Sequence, residues 1–203
     1  MRKIFVTGIG TDVGKTVVSA ILVDALKADY WKPIQAGSYN DTDSQKLKKL
    51  ISSTDTVIHP EAYCLKTPMS PHTAAEAEGI TLEPEKINLP DTQKTLIIEG
   101  AGGLMVPLNE KFFMVDFIQK FDAETILVIQ NYLGSINHSL LTIEVLKYRK
   151  ANVLGIIFNG SPHKLSEDII LGYSGFKMLG RVTKERQINK EIIAKYVPQF
   201  TTI

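Results

Sequence analysis

At 203 residues, with 44% hydrophobic and 22% charged side chains, the chain has the make-up of one globular domain able to bury a substantial core. A formal net charge of +1, with no basic run or arm, argues against nucleic acid and against a membrane surface as partners. Cys64 is the only cysteine, which excludes an internal disulfide and a thiolate metal cluster within the chain. With no stretch resembling a signal peptide and no apolar run near the roughly twenty residues of a membrane span, a reducing cytoplasm is the expected compartment.

Ile4, Phe5 and Val6 form a short apolar run that reads as a buried strand, ending at Thr7-Gly8. The segment Gly8 to Gly14 is glycine-bearing and closes on Gly14-Lys15-Thr16, where a helix with apolar positions Val18, Ile21, Leu22 and Ala25 begins. Strand, loop and helix in this order make a phosphate cradle: successive backbone N–H groups face the anion, and the positive end of the helix dipole adds to them. Lys15 is expected to reach the β- and γ-phosphates, and the Thr16 hydroxyl to ligate Mg²⁺. The loop is one residue longer than the common pattern, which would place its first glycine at Ile9, and Gly10 is expected to supply freedom within it.

Tyr30 to Ile34 (YWKPI) reads as the next strand, cut short by Pro33 and by Gln35-Ala36-Gly37-Ser38. Lys32 lies near its end, where the carboxyl edge of an open parallel sheet binds ligands, and is either a second cation for phosphate or carboxylate or a solvated surface lysine. The polar run Tyr39 to Asp43 opens a helix through Leu47, Leu50 and Ile51. Asp41, Thr42 and Asp43 are each candidates to cap it. Residues 59–79, with Pro60, Pro68 and Pro71, form a functional loop before a short Ala/Glu-rich helix from about His72.

Leu96, Ile97 and Ile98 form a buried strand, and Glu99 ends it at the same sheet edge as the phosphate loop. Glu99 is either the acid that organises Mg²⁺ or a strand-end charge in water. Gly100, Gly102 and Gly103 around Ala101 let backbone approach a ligand. Ile126 to Ile129 and Val153 to Phe158 read as strands, with a helix through Leu140, Leu141, Val145 and Leu146 between them. A weaker strand from Met178 to Val182 precedes a terminal helix carrying Ile188, Ile192, Ile193 and Val197. The alternation predicts an α/β fold, a mostly parallel sheet with helices on both faces, in one domain spanning residues 1–203.

Taken together, Thr7-Gly8 through Gly14-Lys15-Thr16, Lys32-Pro33-Ile34, Asp41-Thr42-Asp43, Pro68-Met69-Ser70-Pro71-His72, Glu99-Gly100-Ala101-Gly102-Gly103 with Pro107-Leu108, and Leu133-Gly134-Ser135-Ile136-Asn137-His138 resemble the dethiobiotin synthetase family, in the family's order. The longer phosphate loop is the form that family uses. The resemblance implies a fold like that of P-loop nucleoside triphosphate hydrolases and an ATP- and Mg²⁺-dependent ring closure of 7,8-diaminononanoate with CO₂ or bicarbonate in biotin synthesis. It implies catalytic roles for Lys15, Lys32 and Thr11, and ATP contacts from Asp12, Val13, Gly14, Lys15, Thr16, Val17 and, at the base, Asn159. It further implies Mg²⁺ at Thr16, Asp43 and Glu99, with substrate against Thr11, Lys32 and Gly100 to Gly103. A homodimer is implied too, whose partner meets the substrate near Ser135 and Asn137. The chain departs from the family at Ala36, where a hydroxyl is usual, so that its hydrogen bond is either absent or supplied by Gln35 or Ser38, and at Arg181-Val182-Thr183, where a base-pocket proline is common.

The rival reading is a partition- or cell-division-type ATPase, a nucleotide switch without synthetic activity. Such proteins carry a second lysine early in the loop, where this chain has Gly10.

Overall fold

The computed structural model describes residues 1–37 and 41–203. Ser38, Tyr39 and Asn40, which the sequence puts between the second expected strand and the second expected helix, lie outside the described residues. In chain order the strands are β1 (Lys3–Gly8), β2 (Asp29–Trp31), β3 (Ile34–Ala36), β4 (Ile58–His59), β5 (Tyr63–Leu65), β6 (Leu96–Glu99), β7 (Glu124–Gln130), β8 (Val153–Asn159) and β9 (Met178–Val182). The helices are α1 (Lys15–Leu26), α2 (Asp43–Leu50), α3 (Pro71–Ala77), α4 (Asp116–Lys120), α5 (Ser135–Tyr148), α6 (Lys164–Ser174) and α7 (Lys190–Tyr196).

Seven strands form one sheet in the order β4-β2-β6-β1-β7-β8-β9, each pair parallel. The continuous apolar runs of β1, β6 and β7 are what such a sheet requires, because both of its faces are covered. Tyr30 and Trp31 are neighbours in β2 and so point to opposite faces. Trp31 meets Phe121, whose ring stacks on Phe117 of α4 at 5.0 Å between centroids. On the Tyr30 side α1 packs against α2 and α7, and elsewhere α5 packs against α6. β1 lies between β6 and β7, and its two flanks are reached by opposite chain directions. The loop after it therefore opens at the point where strand order reverses, the crevice in which open α/β sheets bind ligands.

The expected strand over residues 30–34 is two. β2 stops at Trp31, and β3 pairs with β5 in a separate two-stranded parallel sheet. Pro33 has no N–H to continue a ladder, and its carbonyl instead accepts from Ala62 and Tyr63. Lys32 sits at this break. The final helix is shorter than its apolar pattern: the Asn189 side chain accepts from Ile192 N–H at 3.0 Å and starts α7 after Ile188, and Val197 falls in a closing 3-10 turn.

At the start of α2 the capping residue is Thr42. Its hydroxyl accepts from Gln45 N–H at 3.2 Å, and the Gln45 side chain accepts from Thr42 N–H at 3.1 Å. Asp43 is thereby released from capping and becomes the first helical residue. Thr42→Ala is expected to cost about 1 kcal/mol in chemical denaturation and to loosen Asp43. An unchanged midpoint would show that the cap carries no stability.

Candidate active site

The phosphate loop bends through Asp12, a non-glycine residue with φ of 56°, and through Gly14 with φ of 94°. Only glycine fits at residue 14, because a Cβ there would lie 2.1 Å from the Asn159 amide nitrogen. Gly10 departs from expectation: a Cβ at that position would meet open space, and its contribution is its carbonyl, which accepts from Lys15 Nζ at 2.7 Å. Ile9 N–H donates to Val128 O and Val18 N–H to Gly14 O. Among the described residues, the amides of residues 10–17 between them have no backbone acceptor. A cluster of free N–H groups at a helix start is an anion cradle.

Beside the loop lies a polar cluster. Glu99, 1% exposed at the end of β6, accepts at Oε1 from Thr16 Oγ1 (2.8 Å) and Lys32 Nζ (3.2 Å), and at Oε2 from Tyr30 OH (3.0 Å). Lys32 Nζ also contacts Asp43 Oδ2 at 2.9 Å, and Lys46 approaches Asp43 Oδ1 at 3.5 Å. Lys32 is thus a buried ammonium between two carboxylates and no solvated surface lysine, and Glu99 is no strand-end charge in water.

Burial alone would lower the Lys32 pKa; Glu99 and then Asp43 outweigh it and hold the ammonium above its ordinary value. Burial would raise Asp43, and Lys32 overrides it and holds the carboxyl below its ordinary value. Among the described residues, Lys15 has a carbonyl, that of Gly10, for its hydrogen-bond partner. Burial, followed by the charge of Lys32, brings it down to about 8. A lysine held at that cost is poised to gain a polyanion.

These groups wall a cleft of about 720 Å³. Thr11, Asp12, Gly14, Lys15, Thr16 and Val17 line it on the loop side, and Lys32, Asp43, Glu99, Ala101 and Gly102 line it on the other. Gly100 and Gly103 stand behind Ala101 and Gly102, with Gly103 packed on Gly10. Val13 is buried, and its carbonyl accepts from Asn159 Nδ2 at 2.9 Å, so Asn159 anchors the loop. Ser135 is buried and Asn137 exposed at the start of α5, and neither lines the cleft.

Gln35 is not free to replace the hydroxyl missing at Ala36. Its Nε2 donates to Gly37 O at 3.0 Å, and its Oε1 accepts from Asp43 N–H at 3.1 Å, so it steadies Asp43 instead. Arg181 is paired with Glu167 of α6 and lies over the Phe158 ring at 5.4 Å. Glu167 also accepts from Asn131 (2.6 Å) and His163 N–H (2.9 Å). Tyr30 and Lys46 escape a reading of the chain alone, and so does the support that Gln35 gives Asp43: each depends on which strands and helix starts become neighbours.

A parallel sheet with a glycine loop, a lysine and a threonine at the following helix start, and an acid at the end of the adjoining strand defines a phosphate-loop nucleotide-binding protein. Residues 2–192 match the family model described as "AAA domain". The chain is 52% identical over 199 residues to an ATP-dependent dethiobiotin synthetase of Christiangramia forsetii, covering 98% of this chain and 96% of that one. It is 53% identical over 197 residues to the enzyme of the same name from Cytophaga hutchinsonii, covering 97% and 95%. The chain belongs to the ATP-dependent dethiobiotin synthetase family.

Among solved structures it is similar to the septum site-determining protein MinD of Pyrococcus horikoshii, with a TM-score of 0.57 at 15% identity over 99% of this chain and 91% of that one. A ParA family ATPase of Chlorobium tepidum gives a TM-score of 0.55 at 12% identity over 100% and 96%. At that identity the likeness is one of fold, and it confirms the expected P-loop architecture without supporting the switch-type rival.

Proposed function

We propose that this chain is one synthetase domain, residues 1–203, that closes the cyclic urea of dethiobiotin from 7,8-diaminononanoate, CO₂ and ATP. The observation that carries the reading is the meeting of the phosphate loop with the buried Lys32 and Glu99 and the half-buried Asp43 on one cleft. One buried cluster running from Ile4 to Phe200 supports the single domain. We place the chain in the cytoplasm, where its lone cysteine stays reduced; among the described residues no helix is long and apolar enough to cross a membrane.

ATP lies with its phosphates on the amides of residues 10–17, including those of Asp12, Val13, Gly14 and Val17, and Lys15 exchanges the Gly10 carbonyl for the γ-phosphate. Asn159 keeps its Oδ1 for the base while its Nδ2 holds the loop. The hydroxyl of Thr16 and the carboxylates of Glu99 and Asp43 are hard oxygen donors that all line the cleft, Glu99 joined to Thr16 directly and to Asp43 through Lys32, and donors of this chemistry suit Mg²⁺. An ion held by these residues would supply positive charge against the phosphates as negative charge develops on them.

One amine of the diamine attacks CO₂ and loses a proton, giving a carbamate. A carbamate oxygen then attacks the γ-phosphorus and expels ADP. The second amine attacks the carbamoyl carbon, phosphate leaves with the former carbamate oxygen, a second proton departs, and the ring is closed. Lys32 and Thr11 hold the carbamate against the γ-phosphate, and the backbone of Gly100 to Gly103 borders the diamine. Two anions must be brought together, so positioning and charge carry the barrier.

The far end of the substrate is read by Ser135 and Asn137 of a second copy. α5 and α6 support this dimer by exposing Leu141, Tyr148, Leu165 and Ile169, with Leu133 fully exposed just before α5. Sedimentation is expected to give a dimer that Leu165→Glu with Ile169→Glu dissociates, with loss of activity; a fully active monomer would overturn it.

Bicarbonate labelled with ¹⁸O is expected to deliver one labelled oxygen to each released phosphate. Unlabelled phosphate would exclude carbamate attack on ATP.

A further inference from the structure

The chemistry above leaves Tyr30 without a task. It is fully buried, and its hydroxyl donates to Glu99 Oε2 at 3.0 Å. The other oxygen of the same carboxylate, Oε1, accepts from Thr16 Oγ1 and Lys32 Nζ. The two oxygens are therefore sorted, one turned inward to a neutral donor and one turned toward the groups of the cleft. β2 and β6 produce this: Tyr30 stands opposite Ile97, so it shares a face with Glu99 two residues on.

The terminal torsion of a glutamate is soft and nearly two-fold, so nothing in the side chain itself fixes which oxygen faces where. Without Tyr30, the Lys32 ammonium would compete for both oxygens and draw Oε1 from Thr16. A second cationic partner in place of Tyr30, added to Lys32, would fix the carboxylate but cancel its charge, whereas a phenol fixes it and adds no charge.

We propose that Tyr30 is a positioning residue that locks the Glu99 carboxylate in the orientation needed to hold a divalent cation beside the Thr16 hydroxyl. The inference rests on the metal role given to Glu99 above. It deepens that reading, since outer partners of metal-holding carboxylates govern metal affinity as well as the ligands do.

The test is the Mg²⁺ concentration that half-saturates the rise in Tm caused by a non-hydrolysable ATP analogue. Tyr30→Phe keeps the ring and removes only the hydroxyl. It is expected to raise that concentration about tenfold, with analogue binding in the absence of Mg²⁺ unchanged. Glu99→Gln is expected to raise it as well, and adding Tyr30→Phe to Glu99→Gln is expected to change nothing further. A Tyr30→Phe titration superimposing on wild type while Glu99→Gln shifts would overturn the inference and leave the metal reading standing; so would additive shifts in the double variant. An unshifted Glu99→Gln would overturn the metal reading and this inference with it. If Tyr30→Phe fails to fold, ¹³Cζ-tyrosine labelling of the wild-type protein reads the same contact: the Tyr30 resonance is expected to move with Mg²⁺ at the half-saturating concentration, and a stationary resonance overturns the proposal.

Discussion

Lys15→Met is expected to abolish ring closure, by on the order of 10³-fold in kcat, and at the same time to make the nucleotide-free protein more stable. The two effects have one cause. Lys15 is 7% exposed with Gly10 O as its partner, and its pKa is brought down to about 8. A lysine whose folded pKa lies below its unfolded value binds fewer protons when folded. Its charge therefore costs stability in full below about pH 8, and that cost fades between there and its ordinary value near 10.5. Full conversion of the shift sets an upper bound on the order of 3 kcal/mol. Loss of the Gly10 hydrogen bond reduces the gain in the variant to about 1 kcal/mol. Denaturation at pH 7 and pH 10 checks this: the advantage of the variant should be present at the lower pH and shrink at the higher. A less stable Lys15→Met protein would mean that the lysine serves the fold, and retained turnover would remove it from catalysis.

Lys32→Met is expected to have the opposite sign in stability. It leaves Asp43 and the 1% exposed Glu99 facing one another with no cation between them. Breaking a buried pair by removing one partner costs about 3–5 kcal/mol. For a chain of this length that corresponds to a fall in Tm of roughly 10 °C. Turnover is lost as well, since no other ammonium stands between the two carboxylates among the described residues. Two controls separate charge from packing. Adding Glu99→Gln to Lys32→Met should restore much of the stability, because it removes the uncompensated charge. The gap between wild type and Lys32→Met should also narrow in acid. Asp43 has its folded pKa lowered by Lys32, so the stability it contributes is present above the ordinary carboxylate range and lost as pH falls through its lowered value. A Lys32→Met protein as stable as wild type at pH 7 would show that the ion pairs are immaterial.

The parts of the site that sequence alone reveals are those carried by local pattern. Lys15 and Thr16 follow from a strand, a glycine loop and a helix in succession, and Glu99 from an acid that closes an apolar strand. Local pattern makes Asp43 one of three capping candidates, and its Mg²⁺ role comes from the family resemblance alone; the capping box on Thr42 settles which residue caps and frees Asp43 for Lys32. Tyr30 was hidden because its partner is 69 residues away, and only the register of β2 on β6 shows that the two share a face. Gln35 is one of two side chains that the sequence leaves as replacements for a missing hydroxyl, but the start of α2 folds back onto it and uses its amide. The split at Lys32-Pro33 has a local cause in proline, yet a two-stranded sheet of β3 and β5 could not be seen before Tyr63 to Leu65 was placed beside it. Helix α6 went unread because its side chains are largely exposed, Leu165 and Ile169 among them, which blurs the periodicity that marks a buried stripe.

The proposed coupling of ATP cleavage to ring closure in this cleft is tested most directly by measuring phosphate release with ATP, Mg²⁺ and bicarbonate, with and without 7,8-diaminononanoate, while dethiobiotin is followed by mass. Phosphate release that requires the diamine and matches dethiobiotin one for one is the predicted result. ATP hydrolysis indifferent to the diamine, with no dethiobiotin formed, would contradict the account and leave a nucleotide switch on the same phosphate loop.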